Sequence, residues 1–240
     1  ETSLDEDPLL KTAEAMYLLA IERDADVPEY HEYFADFLHR RGRGIEAVAA
    51  WRAMAEASGG GATELRQLAE TYAQHDYLNE AIDAANASLA AAPEDFETQE
   101  LAVRLYVRKR AYGEALAAID QLDDLASDAA SEERAIQRRV ELYEAEGRLS
   151  ERIAELADRD KILTRERWLL GLLEASDRQY DLAAAHLSQA AAESPQDTRI
   201  LRALASVHEQ AGHLDEAIAA RRELVELEPR LATHHYQAIV

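Results

Sequence analysis

The chain has 240 residues, carries 48 Asp and Glu against 26 Lys and Arg for a net charge of −22, and contains no Cys. Disulfides and thiolate metal sites are therefore excluded, and so much negative charge repels nucleic acid and anionic lipid while attracting cations or basic partners. With 48 Ala, 9 Gly and 5 Pro, the composition favours helix, and no apolar run nears the ~20 residues of a membrane span.

Taken in chain order, the opening ETSLDEDP is acidic and lacks the apolar core of a signal peptide. A lone second helix is predicted over about 9–24, with Ala13 at its small position. After it, one phrase keeps returning: a polar turn, then an Ala-centred apolar stripe. The turn falls at Gly42, Asp76, Arg110, Gly147, Arg178 and Gly212, at spacings of 34, 34, 37, 31 and 34. Six helix–turn–helix units are predicted, at 28–61, 62–95, 96–130, 131–162, 163–197 and 198–231. The 37 and 31 sum to twice the period, so a longer link near 124–131 is offset by a shorter one near 160–163. A truncated helix runs from about 232 to 240. Both ends read as cuts within a longer protein.

The side chains follow the same period. Five residues after the turn stand Ala47, Ala81, Ala115, Ala183 and Ala217, and seven before it stand Ala35, Ala69, Gly171 and Ala205. Small groups at both places let two helix axes approach closely. Large residues surround them: Phe34, Leu68, Leu170 and Leu204 on the first helices, Trp51, Ile119 and Leu187 on the second. Pro93, Pro195 and Pro229 follow second helices, where they end the helix. The fourth unit departs, with Arg152 and Val140 at the small positions, and looser packing is expected there.

No catalytic constellation emerges. HEQAGH at 208–213 has one residue too many for the zinc-binding HExxH, and Gly212 falls in the turn. His31 and His39 are two helical turns apart, too far for one ion. DQLDDLASDAASEE at 120–133 lacks the ligand spacing and central Gly of a calcium loop. GRG at 42–44 and GGG at 59–61 have no phosphate-loop ending. The chain is expected to be no enzyme and to hold no cofactor or metal.

The 34-residue period, paired small residues and terminal Pro resemble the tetratricopeptide repeat (TPR) family over essentially the whole chain. The resemblance implies an all-α, right-handed superhelix (an α-solenoid) of about six repeats with partial repeats at both ends, as a single array over 1–240. It also implies that first helices line a concave face that holds protein segments. Helical geometry puts Glu29, Glu32, Tyr33 and Asp36 on that face, then Arg66 and Glu70, then Glu100, Arg104 and Arg108. Further along come Arg134, Arg138 and Glu141, then Arg165 and Trp168, then Arg199 and Arg202. This groove is nearly neutral and Arg-rich, in contrast to the acidic second helices and links, and Arg presents a planar fork to carboxylates. The rival reading is that these Arg and Glu simply pair with one another.

A narrower resemblance rests on YFADFLHRRGRGIEAVAAWRAM and RQLAETYAQHDYLNEAIDAANASL in an acidic, Cys-free, Arg- and Ala-rich array. These look like the periplasmic TPR scaffold region of the Pel exopolysaccharide export family. That likeness implies a non-catalytic scaffold that docks a polysaccharide deacetylase or hydrolase and helps guide a cationic polymer, with no nucleic acid bound and no membrane contact from this segment. The alternative is a cytoplasmic TPR adaptor that recruits a regulatory or enzymatic partner.

Overall fold

The computed structural model describes residues 7–228, and those residues form helices and short links alone. The helices are α1 (Pro8–Arg23), α2 (Pro28–Arg40), α3 (Gly44–Ala57), α4 (Ala62–Gln74), α5 (Leu78–Ala91), α6 (Phe96–Arg108) and α7 (Tyr112–Leu125). Then come α8 (Ala129–Glu146), α9 (Leu149–Ala157), α10 (Thr164–Ser176), α11 (Tyr180–Glu193), α12 (Thr198–Ala211) and α13 (Leu214–Leu227). The helix predicted from 232 lies outside the described residues. None of the described helices is long and apolar enough to cross a membrane.

The chain divides into two compact units between Ser127 and Asp128, inside the longer link anticipated near 124–131. In the first unit α1 packs on α2, and α2–α3, α4–α5 and α6–α7 form hairpins stacked in order. In the second, α8–α9, α10–α11 and α12–α13 do the same. The architecture is the all-α stack of helical hairpins that the 34-residue period calls for.

Each predicted turn residue sits in the left-handed backbone region: Gly42, Gly147 and Gly212 at φ 72°, 73° and 80°, Asp76, Arg110 and Arg178 at 63°, 60° and 62°. That conformation turns the next backbone N–H back to the carbonyl five residues earlier. Arg43 N donates to Leu38 O, Tyr77 N to Tyr72 O, Ala111 N to Tyr106 O, Gln179 N to Glu174 O and His213 N to His208 O, at 2.8–3.0 Å. The closure satisfies carbonyls that the ending helix leaves unpaired.

The small residues lie where the helices cross. Ala35, Ala47, Ala69, Ala81, Ala115 and Ala183 are fully buried, with Ala205 and Ala217 close behind. Leu38, Trp51, Leu68 and Tyr72 fill the first unit's core, and Tyr72 Oη donates to Val48 O at 2.8 Å. In the fourth hairpin the departure from the pattern has a specific form. The Arg152 guanidinium lies 5.2 Å from the Tyr143 ring centre and pairs with Glu146 and Glu155. An arginine stem and a cation–π contact occupy the place that Ala fills elsewhere. The helix α9 is correspondingly short and buries only Ile153 and Leu156.

Candidate partner-binding clefts

Two clefts of nearly equal size open between first helices, one in each unit. The first, about 430 Å³, lies between α2 and α4 above α3. Glu29, Glu32 and Asp36 line one wall at helical spacing, and Gln67, Thr71, Gln74 and His75 line the other. Trp51 and Met54 contribute from α3. The Trp51 indole stacks on the His75 ring at 4.4 Å with the planes 26° apart. The His39 ring meets His75 edge-on at 4.5 Å, and His39 Nδ1 lies 3.1 Å from Tyr77 Oη. Burial and the neighbouring His39 push His75 below its ordinary value, with Asp36 opposing. His75 is therefore neutral at pH 7, and the cleft presents three carboxylates against no Lys or Arg.

The second cleft, about 420 Å³, lies among α8, α10 and α12. Val140, Leu172, Ala175, Ala203 and Val207 make it apolar, and Gln137, Ser176, Ser206 and Gln210 add uncharged polar groups, with Glu141 as its one carboxylate. Glu141 forms an ion pair with Arg138 on its own helix. Helices in corresponding positions of the two units thus build clefts of similar volume and opposite character.

The structure gathers four predicted groove residues into these clefts: Glu29, Glu32 and Asp36 in the first, Glu141 in the second. Tyr33 stands 56 % exposed on α2 beside the first. Arg104 and Arg165 are exposed, and Arg134 is half-buried. Glu100 and Trp168 are not surface groups: they are buried to 5 % and 4 % exposure, which removes them from any face a partner could touch directly. Periodicity identifies the inward side of a helix, but not what an adjacent hairpin will cover.

Most of the predicted arginines meet carboxylates of the chain itself. Arg66 reaches Glu70 at 3.4 Å and Asp95 at 3.7 Å. Arg108 Nη2 donates to Asp76 at 2.8 Å and its Nη1 to Ala73 O at 2.9 Å, so it caps the end of α4. Arg202 lies 3.5 Å from Glu133. Arg199 is the most engaged. It grips Asp197 with two nitrogens at 2.9 and 2.6 Å, reaches Glu132 at 3.0 Å and Ala129 O at 2.6 Å, and lies 5.0 Å from the Trp168 ring centre. It thereby ties the starts of α8, α10 and α12 together.

The repeat pattern marks Trp51 as a core residue but does not by itself mark His75. The signal was present: a His immediately before the left-handed turn residue, one helix away from a Trp at the large position.

Residues 174–238 match the family model for the tetratricopeptide repeat. No curated protein matches the chain. Among solved structures, MamA from Desulfovibrio magneticus RS-1 is similar at 16 % identity, over 86 % of this chain and 97 % of that one, with a TM-score of 0.33. YrrB, described as a TPR protein with an unusual peptide-binding site, is 18 % identical over 92 % and 97 % of the two chains, with a TM-score of 0.31. The Naa15/Naa10 complex bound to HypK-THB is 18 % identical over 93 % of this chain and 35 % of that one, with a TM-score of 0.40.

Proposed function

We propose that this chain is a protein-docking scaffold without chemistry of its own, whose first-helix clefts receive segments of a partner. More narrowly, it serves in the periplasm as part of an exopolysaccharide export apparatus. There it docks a polysaccharide-modifying deacetylase or hydrolase and helps guide a cationic polymer. The observation that supports this reading is the contrast between the clefts. The mainly apolar cleft of the second unit, whose one carboxylate Glu141 is paired with Arg138, suits an aliphatic side chain of a protein segment, and hydroxyls and amides around it suit that segment's backbone. The three carboxylates of the first cleft, within a chain of net charge −22, suit amines presented one after another, as on a deacetylated glycan.

The polymer arm is tested by titrating the chain with chitosan oligosaccharides and with their N-acetylated counterparts. The cationic oligomers are expected to bind, and to weaken steeply with salt, since exposed charges are screened over about 8–10 Å near physiological ionic strength. The triple variant Glu29→Lys, Glu32→Lys and Asp36→Lys is expected to lose that binding. Salt-indifferent binding, or equal binding of the acetylated oligomers, would overturn this arm. The docking arm is tested by a pull-down from periplasmic extract with the native chain and with Leu172→Glu, which places a charge in the second cleft. Recovery of a deacetylase or hydrolase by the native chain alone supports it, and capture of cytoplasmic proteins only overturns it.

A further inference from the structure

The α10–α11 hairpin places an acid and a histidine at two matched positions. Four residues before the turn, the first helix carries Leu38, Tyr72, Tyr106, Tyr143 and His208 in the other five hairpins. Eight residues after the turn, the second helix carries a buried Ala in four of them, Ala50, Ala84, Ala118 and Ala220, and Glu155 in the α8–α9 hairpin. In the α10–α11 hairpin the two positions hold Glu174 and His186. Glu174 is 2 % exposed, and His186 Nδ1 lies 2.8 Å from its Oε2. The backbone carbonyl of Glu174 also accepts the Gln179 N–H that closes the turn, at 2.8 Å. The next two residues, Ala175 and Ser176, line the second unit's cleft.

His186 is the ionisable group that acts on the Glu174 carboxyl. Charged groups on the surrounding helices are engaged elsewhere. Arg138 and Glu141 of α8 pair with each other, Arg152 of α9 with Glu146 and Glu155, and Glu209 of α12 with Arg221. On α10 itself, Glu166 pairs with Arg159, and Arg167 with Glu193.

We propose that the Glu174–His186 pair makes the α10–α11 hairpin a proton-responsive joint, closed while the pair holds its shared proton and loosened once that proton leaves. With one proton between them, the buried oxygen faces either an imidazolium or is itself neutral. Without it, a buried carboxylate faces a neutral ring, and a buried charge lacking a counter-charge is costly. Burial pushes Glu174 above the usual carboxylate range, and the His186 hydrogen bond and charge only partly reverse this. A group raised on folding stabilises fully below its unfolded value, about 4.3 for Glu. That contribution is lost as pH rises through the folded value.

The test is amide hydrogen exchange on the whole 240-residue chain, corrected for intrinsic rates, from about pH 4, near the unfolded Glu value, up to about pH 8. Protection of the Gln179 amide is expected to fall across that range, about tenfold for each pK unit by which folding raises the Glu174 carboxyl. The Ala111 amide, which closes the corresponding α6–α7 turn onto Tyr106 O, is expected to hold steady. Glu174→Gln should flatten the Gln179 profile. The double variant Glu174→Leu, His186→Ala places at these positions the residue types that the first hairpin buries there, Leu38 and Ala50, so it should fold and be equally flat. A flat native profile, a drop shared by Ala111, or a drop that persists in both variants would overturn the proposal.

Discussion

Gly171 of α10 and Leu187 of α11 approach so closely that a Cβ on the glycine would lie 2.6 Å from Leu187 Cγ and 2.9 Å from its Cδ2. Gly171 holds the first-helix small position that Ala35, Ala69 and Ala205 hold elsewhere, and Leu187 is fully buried. A single methyl there must displace a packed side chain. Gly171→Ala is expected to lower stability by about 1–2 kcal/mol, the cost of overpacking less the gain in helix propensity. Adding Leu187→Ala should cost less in the Gly171→Ala background than in the native chain, because the methyl then fills the space vacated. Urea unfolding of the four chains measures this, and strict additivity would contradict the close crossing.

The turn positions make a second prediction with opposite signs. Arg178 is a non-glycine residue at φ 62°, and Gly212 stands at the equivalent place at φ 80°. A Cβ in the left-handed region costs roughly 1 kcal/mol. Arg178→Gly should therefore stabilise by about 0.5–1 kcal/mol and Gly212→Ala should destabilise by a similar amount, part of each being set in the unfolded chain. Thermal melts of both variants decide it.

Arg199 links three helix starts, so its removal should be felt well beyond α12. Arg199→Ala leaves Asp197 and Glu132 without their shared cation and uncovers the Trp168 ring. A loss of about 1–3 kcal/mol is expected, as when one partner of a half-buried charged hydrogen-bond network is deleted. The same variant should change the acid response. Burial works to raise the Asp197 carboxyl, but hydrogen bonds and charge from Arg199 outweigh it and hold the group below its ordinary value. Such a group adds stability that is present above its unfolded value, about 3.9, and is lost as pH falls through the folded value. Native stability should thus decline below about pH 4 with a steeper slope than that of Arg199→Ala. Equal slopes in denaturant melts at acid pH would refute the link.

Arg108 tests whether a groove arginine is spent on the fold. It caps α4 through Ala73 O and pairs with the exposed Asp76. The ion pair is worth little at the surface, and the carbonyl hydrogen bond contributes about 1 kcal/mol. Arg108→Ala should lower stability by about 0.5–1.5 kcal/mol, whereas Arg104→Ala should change it by less than about 0.5 kcal/mol, as at an ordinary surface site. Equal losses would show that the cap does not matter.

The period was legible because its physical cause is local. A left-handed residue ends each first helix, and a small residue follows five places later in every hairpin but the fourth, where Arg152 stands. Counting 34 found Asp76, Arg110 and Arg178 as turn residues even though none is glycine, and all three have positive φ. The small positions of the other hairpins were equally readable, since a larger group there must displace packed side chains. The clefts were only half readable. Glu29, Glu32 and Asp36 share a helical face that spacing alone reveals, while the Trp51–His75 floor depends on two helices meeting.

Sequence alone determined the hairpin unit, its turns and its crossing points, because each depends on residues within one repeat. Tertiary structure alone decided which arginine meets which acid. Arg199 and Glu132 are 67 residues apart, and with many acids near at hand no sequence rule selects that one. It also decided which groove residues stay exposed, since burial of Glu100 and Trp168 depends on neighbouring hairpins. Short-range geometry is written in spacing, whereas charge pairing and burial are settled only when separate segments come into contact.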